Sequence, residues 1–463
     1  MRDFFYKPEE GYVGDVIPYY EDGTYYLYYL YNHRNTEKYG EGTSWYLITT
    51  KDFVSFKEHG EVLAHRTEEY QDLNAYTGSI YKNQDTYYLY YTGYNTHPRF
   101  CVQEAPLQAV MLAKSDNLMT WEKLPQGTFY ASEEFYELSD WRDPFVFHND
   151  EEDEYWMLLA SRLRQGSVRR RGCVGLCKSK DLLNWKAAAP FYSPGLYMTH
   201  ECPEVFKMGQ WWYLVYSSFS ERFATHYRMS GSLSGPFVSP AEDTFDGRGF
   251  YAGKTASDGI SRYIFGWVPT RKAYSDYGDY EWAGNLIVHE LMQRDDGTLY
   301  ARLPKSMEDA FACEVPFSFD KLSGHFTGQA EGALKADSGT AFSTVVSGQE
   351  LPVRCMITAK FKFQKDTRAL GILLRSDEEA DRSYYIRLEP DKNRLVFDMW
   401  PRKIKKPEED TWEINGDRPF FTELERSCQL KAGQEYKLTI LLDDTVCSVY
   451  LEGQTAMTSR MYN

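Results

Sequence analysis

Three acidic residues, Asp15, Asp143 and Glu201, stand ahead of runs that are otherwise aromatic or apolar. Asp143 lies in Trp141-Arg142-Asp143-Pro144-Phe145-Val146-Phe147, followed by an acidic turn and then Tyr155-Trp156-Met157-Leu158-Leu159. Asp15 precedes Tyr25-Tyr26-Leu27-Tyr28-Tyr29 in the same manner, and Glu201 precedes Trp211-Trp212-Tyr213-Leu214-Val215. Like charges brought together raise one another's pKa, a cost tolerated for chemistry or for a metal. Glycoside cleavage needs such a set. One carboxyl protonates the leaving oxygen while a second attacks the sugar or activates water. Glu201 has the reach for the acid. Arg142, next to Asp143, is expected to hold that third carboxylate ionised, where it would steady positive charge on the ring.

Other chemistries lack their residues. His289-Glu290-Leu291-Met292-Gln293 begins like a zinc-protease helix but has no second His. His200-Glu201-Cys202 is without the Cys pair of a zinc deaminase, and Cys173 and Cys177 have no second pair nearby. Neither a phosphate-cradling Gly-rich loop nor a Gly-x-Ser-x-Gly elbow occurs. No metal or cofactor is expected.

The elements that would position the acids repeat. Strand-like runs begin at Tyr25, Tyr87, Tyr155, Trp211 and Tyr263, separated by 62, 68, 56 and 52 residues. Between them recurs a second element, Lys51 to Phe56, Ser115 to Trp121 and Ser179 to Trp185, whose Asp stands at 52, 116 and 181. Each unit reads as four short strands joined by polar turns. Five such units between about residues 8 and 303 predict a five-bladed β-propeller, since radial repetition protects sheet edges. The strands that open the blades would meet at a central channel, bringing Asp15, Asp143 and Glu201 together. After a linker over 304–316 the pattern changes to plain alternation, as in Val353 to Phe361 and Tyr436 to Leu442, which predicts a C-terminal β-sandwich over 317–463. The charged stretch Lys403 to Asp410 reads as a loop. The fold class is all-β.

Composition narrows the partners. A formal net charge of -16 over 463 residues disfavours nucleic acid and anionic membrane, both of which would repel the chain. The one basic cluster, Arg162 to Arg171, reads as a solvated loop. Aromatic residues make up 16%, enough to furnish both strand cores and flat surfaces for sugar rings. Trp45, Tyr76, Trp141 and Tyr280 are candidates for lining the mouth. The first residues contain no apolar run of signal-peptide length, and the eight Cys form no framework, which together predict a cytoplasmic protein, monomeric or homo-oligomeric.

At these residues the chain resembles glycoside hydrolase family 32, the β-fructofuranosidases, invertases and fructan hydrolases. Trp141-Arg142-Asp143-Pro144 is similar to the family's Arg-Asp-Pro motif, Glu201-Cys202-Pro203 to its Glu-Cys motif, and Thr77-Gly78-Ser79 to its Ser-Gly-Ser segment. Phe250 to Thr255, Phe265-Gly266-Trp267 and Trp282-Ala283-Gly284 resemble its fifth-blade pattern, and Asp443 to Leu451 and Thr458 to Tyr462 its sandwich signature. The resemblance implies that Asp15 is the nucleophile, Glu201 the acid/base and Asp143 the transition-state stabiliser of a retaining exo-fructosidase acting on sucrose or short fructo-oligosaccharides. It places Arg142, Gly78, Ser79 and Trp282 near the fructosyl pocket. The sequence departs from the family around Asp15. Tyr12-Val13-Gly14-Asp15-Val16-Ile17-Pro18 lacks the Asn, Pro, Asn and Gly that usually flank the Asp, and Leu30 stands where many members carry Gln. Two other readings fit three acids in a funnel. One is an inverting family 43-type pentosidase, with carboxyls about 6.5–9.5 Å apart instead of about 5–5.5 Å. The other is a carbohydrate-binding propeller without activity.

Overall fold

The computed structural model describes residues 3–220, 222–315, 318–330, 333–377, 380, 383–400 and 422–462. The segment Lys403 to Asp410 lies outside the described residues. Among the described residues the regular structure is nearly all antiparallel strand. Five strands open the repeats: Tyr12–Glu21, Asn74–Asn83, Tyr136–Asn149, Glu201–Met208 and Tyr251–Ser257. Each pairs with the aromatic run that follows it. The opening strands touch in a closed cycle, first to second, third, fourth, fifth and back to first. The first and last units share one eight-stranded sheet, joined where Val13 faces Gly284.

The aromatic runs explain how neighbouring units hold together. In the first, second and third units a turn after the third strand carries a left-handed residue, Phe53, Leu118 or Leu182, with φ of 60°, 64° and 65°. A hydroxyl (Thr50, Ser115, Ser179) accepts the backbone N–H of that residue, and Asp52, Asn117 or Asp181 accepts the next two amides. The equivalent of Asp52 and Asp181 is therefore Asn117 and not Asp116, because either amide or carboxylate oxygen can accept these bonds. The carbonyl of the left-handed residue faces the preceding unit. Tyr28 donates to Leu118 O at 2.6 Å and Tyr90 to Leu182 O. Trp121 and Trp185 pack edge-on against those same tyrosines. Phe53 packs on Tyr263 and Phe265, which brings the fifth unit against the first.

Two units depart from four strands. In the second, Glu122–Lys123 and Phe129–Tyr130 both pair with Gln108–Ser115, making five. The fourth has three, Glu201–Met208, Trp211–Ser218 and Ala224–Ser230, followed by isolated bridges at Val238 and Thr244. The intervening Gly231 to Pro240 carries Gly235, Pro236 and Pro240, which cannot sustain a ladder.

Eight described strands between Arg354 and Arg460 form two four-stranded sheets around Ile386, Leu395, Phe397, Leu438, Ile440 and Val449. The short helix Lys305–Asp309 precedes them and buries Met307. A polar junction docks these sheets on the repeat region. Asp246 accepts Thr458 N (2.7 Å), Thr458 Oγ1 (2.6 Å) and His289 Nε2 (3.0 Å), and His289 Nδ1 lies 3.0 Å from Tyr450 Oη. The guanidinium of Arg460 reaches Pro269 O, Val268 O and Asn285 Oδ1. His289 thus sits on a strand and serves the junction. A buried charge that loses its partners is costly. We expect Asp246→Ala to destabilise the protein by about 3 kcal/mol or more, read as a lowered denaturant midpoint. Asp246→Asn, which keeps part of the bonding, should cost less.

Candidate active site

Every opening strand carries one extra residue relative to its partner at a matched place, and these five bulges fall at the same end; the third strand has a further shift between Tyr136 and Trp141. The five bulges lie between Val13 and Val16, Tyr76 and Gly78, Arg142 and Phe145, Glu201 and Glu204, and Tyr251 and Lys254. A bulge of this kind bends the strand and re-aims its side chains. Pro144 and Pro203 lack the N–H that regular pairing would use. Asp143, Cys202 and Ala252 take φ of 59°, 50° and 53°. Such conformations need outside support, and the neighbouring unit supplies it. Asp143 N donates to Thr92 Oγ1 (2.8 Å), Cys202 N to Asp143 Oδ2 (2.9 Å) and Gly253 N to Thr225 Oγ1 (3.1 Å).

The bulges bring the three acids together but not at equivalent positions. By register, Glu201 matches Arg142 and Val13; Cys202 matches Asp143 and Gly14; Asp15 matches Pro144. The matched placement read from the sequence is thus corrected: the acids occupy the first, second and third positions of a three-residue bulge. Their surroundings differ accordingly.

Both oxygens of Asp15 are held by neutral donors, Trp267 Nε1 at 2.9 Å and Thr77 Oγ1 at 2.5 Å, and the Cys202 thiol stands 3.8 Å away. Burial raises its pKa; the Thr77 and Trp267 bonds act against that, while the Glu201 charge adds to it. Glu201 receives Arg142 Nη2 on Oε1 at 3.0 Å and the Tyr251 hydroxyl on Oε2. Its pKa is raised, chiefly by burial, with Arg142 opposing and Asp143 reinforcing. Asp143 is 4% exposed and is also raised by burial. Arg142 is nearer to other acids than to Asp143: it bonds Asp140 and Glu201, while its Nε lies 3.9 Å from Asp143. Arg142 thus bonds Asp140 and Glu201 directly, and its charge also lowers the Asp143 pKa, as expected, without a direct bond.

The remaining candidates divide. Trp282 is 40% exposed and meets Trp267 edge-on, with ring centroids 6.3 Å apart. Tyr76, half-buried and stacked on Tyr94, has its phenol pushed up to about 12 by burial. Tyr280 lies parallel to Phe223, which stacks on Tyr251 at 4.0 Å. Trp45 and Trp141 do not line a mouth. Both are fully buried: Trp45 Nε1 donates to Ala75 O and Tyr76 O, and Trp141 packs against Tyr136. Gly78 and Ser79 are internal as well. A Cβ on Gly78 would lie 1.9 Å from Tyr90 O, and Ser79 Oγ accepts Val146 N at 3.1 Å.

Sequence reasoning gave no role to Thr77, Asp140, Tyr251, Trp267 or Lys254. Thr77, Tyr251, Trp267 and Lys254 stand in segments that resemble the family, but only the folded bulges show which side chain turns inward. Gly14 has a reason of its own. A Cβ there would meet the Trp282 ring at 2.6 Å, so this glycine admits the indole beside Asp15. Among the described residues no three His, Cys, Asp or Glu side chains group as metal ligands.

The comparisons with known proteins agree with this geometry. Residues 6–302 match the glycosyl hydrolases family 32 N-terminal domain and residues 328–463 the family 32 C-terminal domain. The chain belongs to glycoside hydrolase family 32. Among its relatives is a sucrose-6-phosphate hydrolase of Vibrio alginolyticus, 25% identical over 281 residues, 56% of this chain and 55% of the relative. A raffinose invertase of Escherichia coli is 25% identical over 353 residues, 69% of this chain and 68% of that enzyme. The aligned part thus spans about half the length of the Vibrio relative. Among solved structures, fructan 1-exohydrolase IIa of Cichorium intybus superposes with a TM-score of 0.72 at 17% identity, covering 100% of this chain and 91% of that one. The family 32 fold is common to both.

A raised carboxylate pKa has a consequence for stability. Because the fold raises Glu201 above its ordinary 4.5, the folded state binds the proton more tightly than the unfolded one. The charged form is therefore a cost at neutral pH, and that cost fades as pH falls toward the ordinary value. Glu201→Gln should melt at a higher temperature than the wild type at pH 7, with the difference shrinking toward pH 4.5. Thermal melts across this range check the sign.

Proposed function

We propose that this chain is a retaining glycoside hydrolase that releases terminal β-D-fructosyl units from sucrose or short fructo-oligosaccharides, working in the cytoplasm. Its repeat region is read as a five-bladed propeller with the site at the bulged end of the channel. The observation that carries the proposal is that two neighbouring carboxyls meet different donors, neutral ones at Asp15 and a guanidinium with a phenol at Glu201. Asp15 has both oxygens held by neutral donors that favour the anion, as a nucleophile requires. Glu201 is bonded instead by the Arg142 guanidinium and the Tyr251 hydroxyl, and burial raises its pKa, the direction a proton donor requires.

In the first step Asp15 attacks the anomeric carbon of the fructosyl unit, the bond to the leaving oxygen breaks, and the Glu201 proton passes to that oxygen. Asp143 lies close enough to Asp15 and Glu201 to feel both charges and is placed to stabilise the positive charge that develops on the ring. Glu201, now an anion, takes a proton from water, which attacks the same carbon and frees Asp15. Arg142 meanwhile stays bonded to Asp140 and keeps Glu201 aimed. The exposed face of Trp282, admitted by Gly14, supplies an apolar wall on the Asp15 side of the pocket.

Two assays test this. Fructose release from sucrose, kestose, inulin and levan should be faster on the short substrates than on the polymers, and no release from any would remove the proposal. Glu201→Ala should lose at least about a hundredfold on sucrose, in line with general acid catalysis. It should keep far more activity on a fructoside whose leaving group needs no proton. Equal loss on both would take Glu201 out of the acid role.

A further inference from the structure

Lys254 follows the bulge of the fifth opening strand. Its register partner Phe265 makes it the equivalent of Glu204 in the fourth unit and Phe145 in the third, one layer of side chains deeper than the carboxylates. The residue is 1% exposed, and its Nζ has no hydrogen-bond partner. A buried amine left in this state is expensive, so something nearby must compensate. Its Nζ lies 5.2 Å from the centre of the Phe145 ring, two residues beyond Asp143 on the same strand.

The charged groups around it are distributed unevenly. Glu204, the acid of its own layer, is taken by Thr255 N and Thr255 Oγ1. Asp140 and Glu201 are taken by Arg142, and Glu201 also by the Tyr251 hydroxyl. Asp15 is held by Trp267 and Thr77. Asp143 has the Cys202 amide, at 2.9 Å, and only a distant Arg142 Nε. Burial, chiefly, and the Asp15 charge push its pKa up, while the Arg142 charge, the Cys202 amide and, after them, the Lys254 charge pull it down.

We propose that Lys254 is a positioning residue that keeps Asp143 an anion. Its ammonium, walled in one layer below the bulges, adds a second balancing charge to that of Arg142, whose direct bonds go to Asp140 and Glu201. This rests on the reading above, in which ionised Asp143 stabilises the fructosyl ring. Phe145 fixes the ammonium by its ring face, and the absence of a direct bond lets one cation act on Asp143 without drawing it out of the channel.

The test compares the wild type, Lys254→Met and Lys254→Arg. Removing a cation from beside a carboxylate raises that carboxylate's pKa. Lys254→Met should therefore move the acidic limb of kcat/KM up by about one pH unit or more and lower kcat about tenfold, with KM little changed. Lys254→Arg should restore the limb. An acidic limb that stays in place in Lys254→Met would overturn the proposal. Melting temperatures give a second readout that does not depend on activity. In an Asp143→Asn background the change at Lys254 should cost less than in the wild type, since no anion remains to be balanced; equal costs would overturn it. If Lys254→Met alone does not fold, the Lys254→Met/Asp143→Asn protein should fold, and its failure to do so would count against the idea. A wild type that turns over no fructoside would defeat the functional reading alone, and the melting comparison would still decide on Lys254.

Discussion

The guanidinium of Arg142 lies between Asp140 and Glu201 and within 3.9 Å of Asp143, and the arrangement of the site depends on it. Several carboxylates sharing a poorly solvated channel would all take up protons if nothing opposed their mutual repulsion. One planar cation with donors pointing in several directions can oppose it at more than one acid. That geometry is possible because Arg142 sits at the first residue of a bulge, with Asp143 turned by a positive φ and Pro144 ending the regular pairing. The adjoining units complete the arrangement through Thr92, Thr199 and the Cys202 amide. Site and scaffold are therefore built from the same bonds, since each contact that orients an acid also fastens one repeat to the next.

Much of the fold was legible because its repeats are written in aromatic residues. Tyr28 and Tyr90 recur for a physical reason: each phenol reaches a carbonyl exposed by a left-handed turn in the following unit, with a tryptophan edge against the ring. The same logic misplaced one detail, since Asp116 is the better chemical match to Asp52 and Asp181 but Asn117 fills the role. The reduced fourth unit was not visible in the spacing of its aromatic run, although its Gly and Pro content carried the signal.

The acids were legible and their relationships were not. A bulge adds one residue to a strand without marking the sequence, so Asp15, Asp143 and Glu201 seem equivalent until the register is known. For the same reason Trp45 and Trp141 passed for surface aromatics although both are fully buried, while Thr77, Trp267 and Tyr251, which touch the acids, were given no role. The altered segment around Asp15 also gains a physical account. With no side chain on Gly14, the Trp282 indole packs where a Cβ would begin, so a polar neighbour of the acid is exchanged for an apolar wall.

The central claim is that Asp15 forms a covalent bond to the sugar while Glu201 handles the proton. Incubating the Glu201→Gln protein with a fructoside bearing a good leaving group would allow the first step and slow the second. Peptide mass mapping should then find one fructosyl unit attached at Asp15. An adduct on Asp143, or turnover that gives the inverted anomer with no adduct on Asp15, would contradict the account.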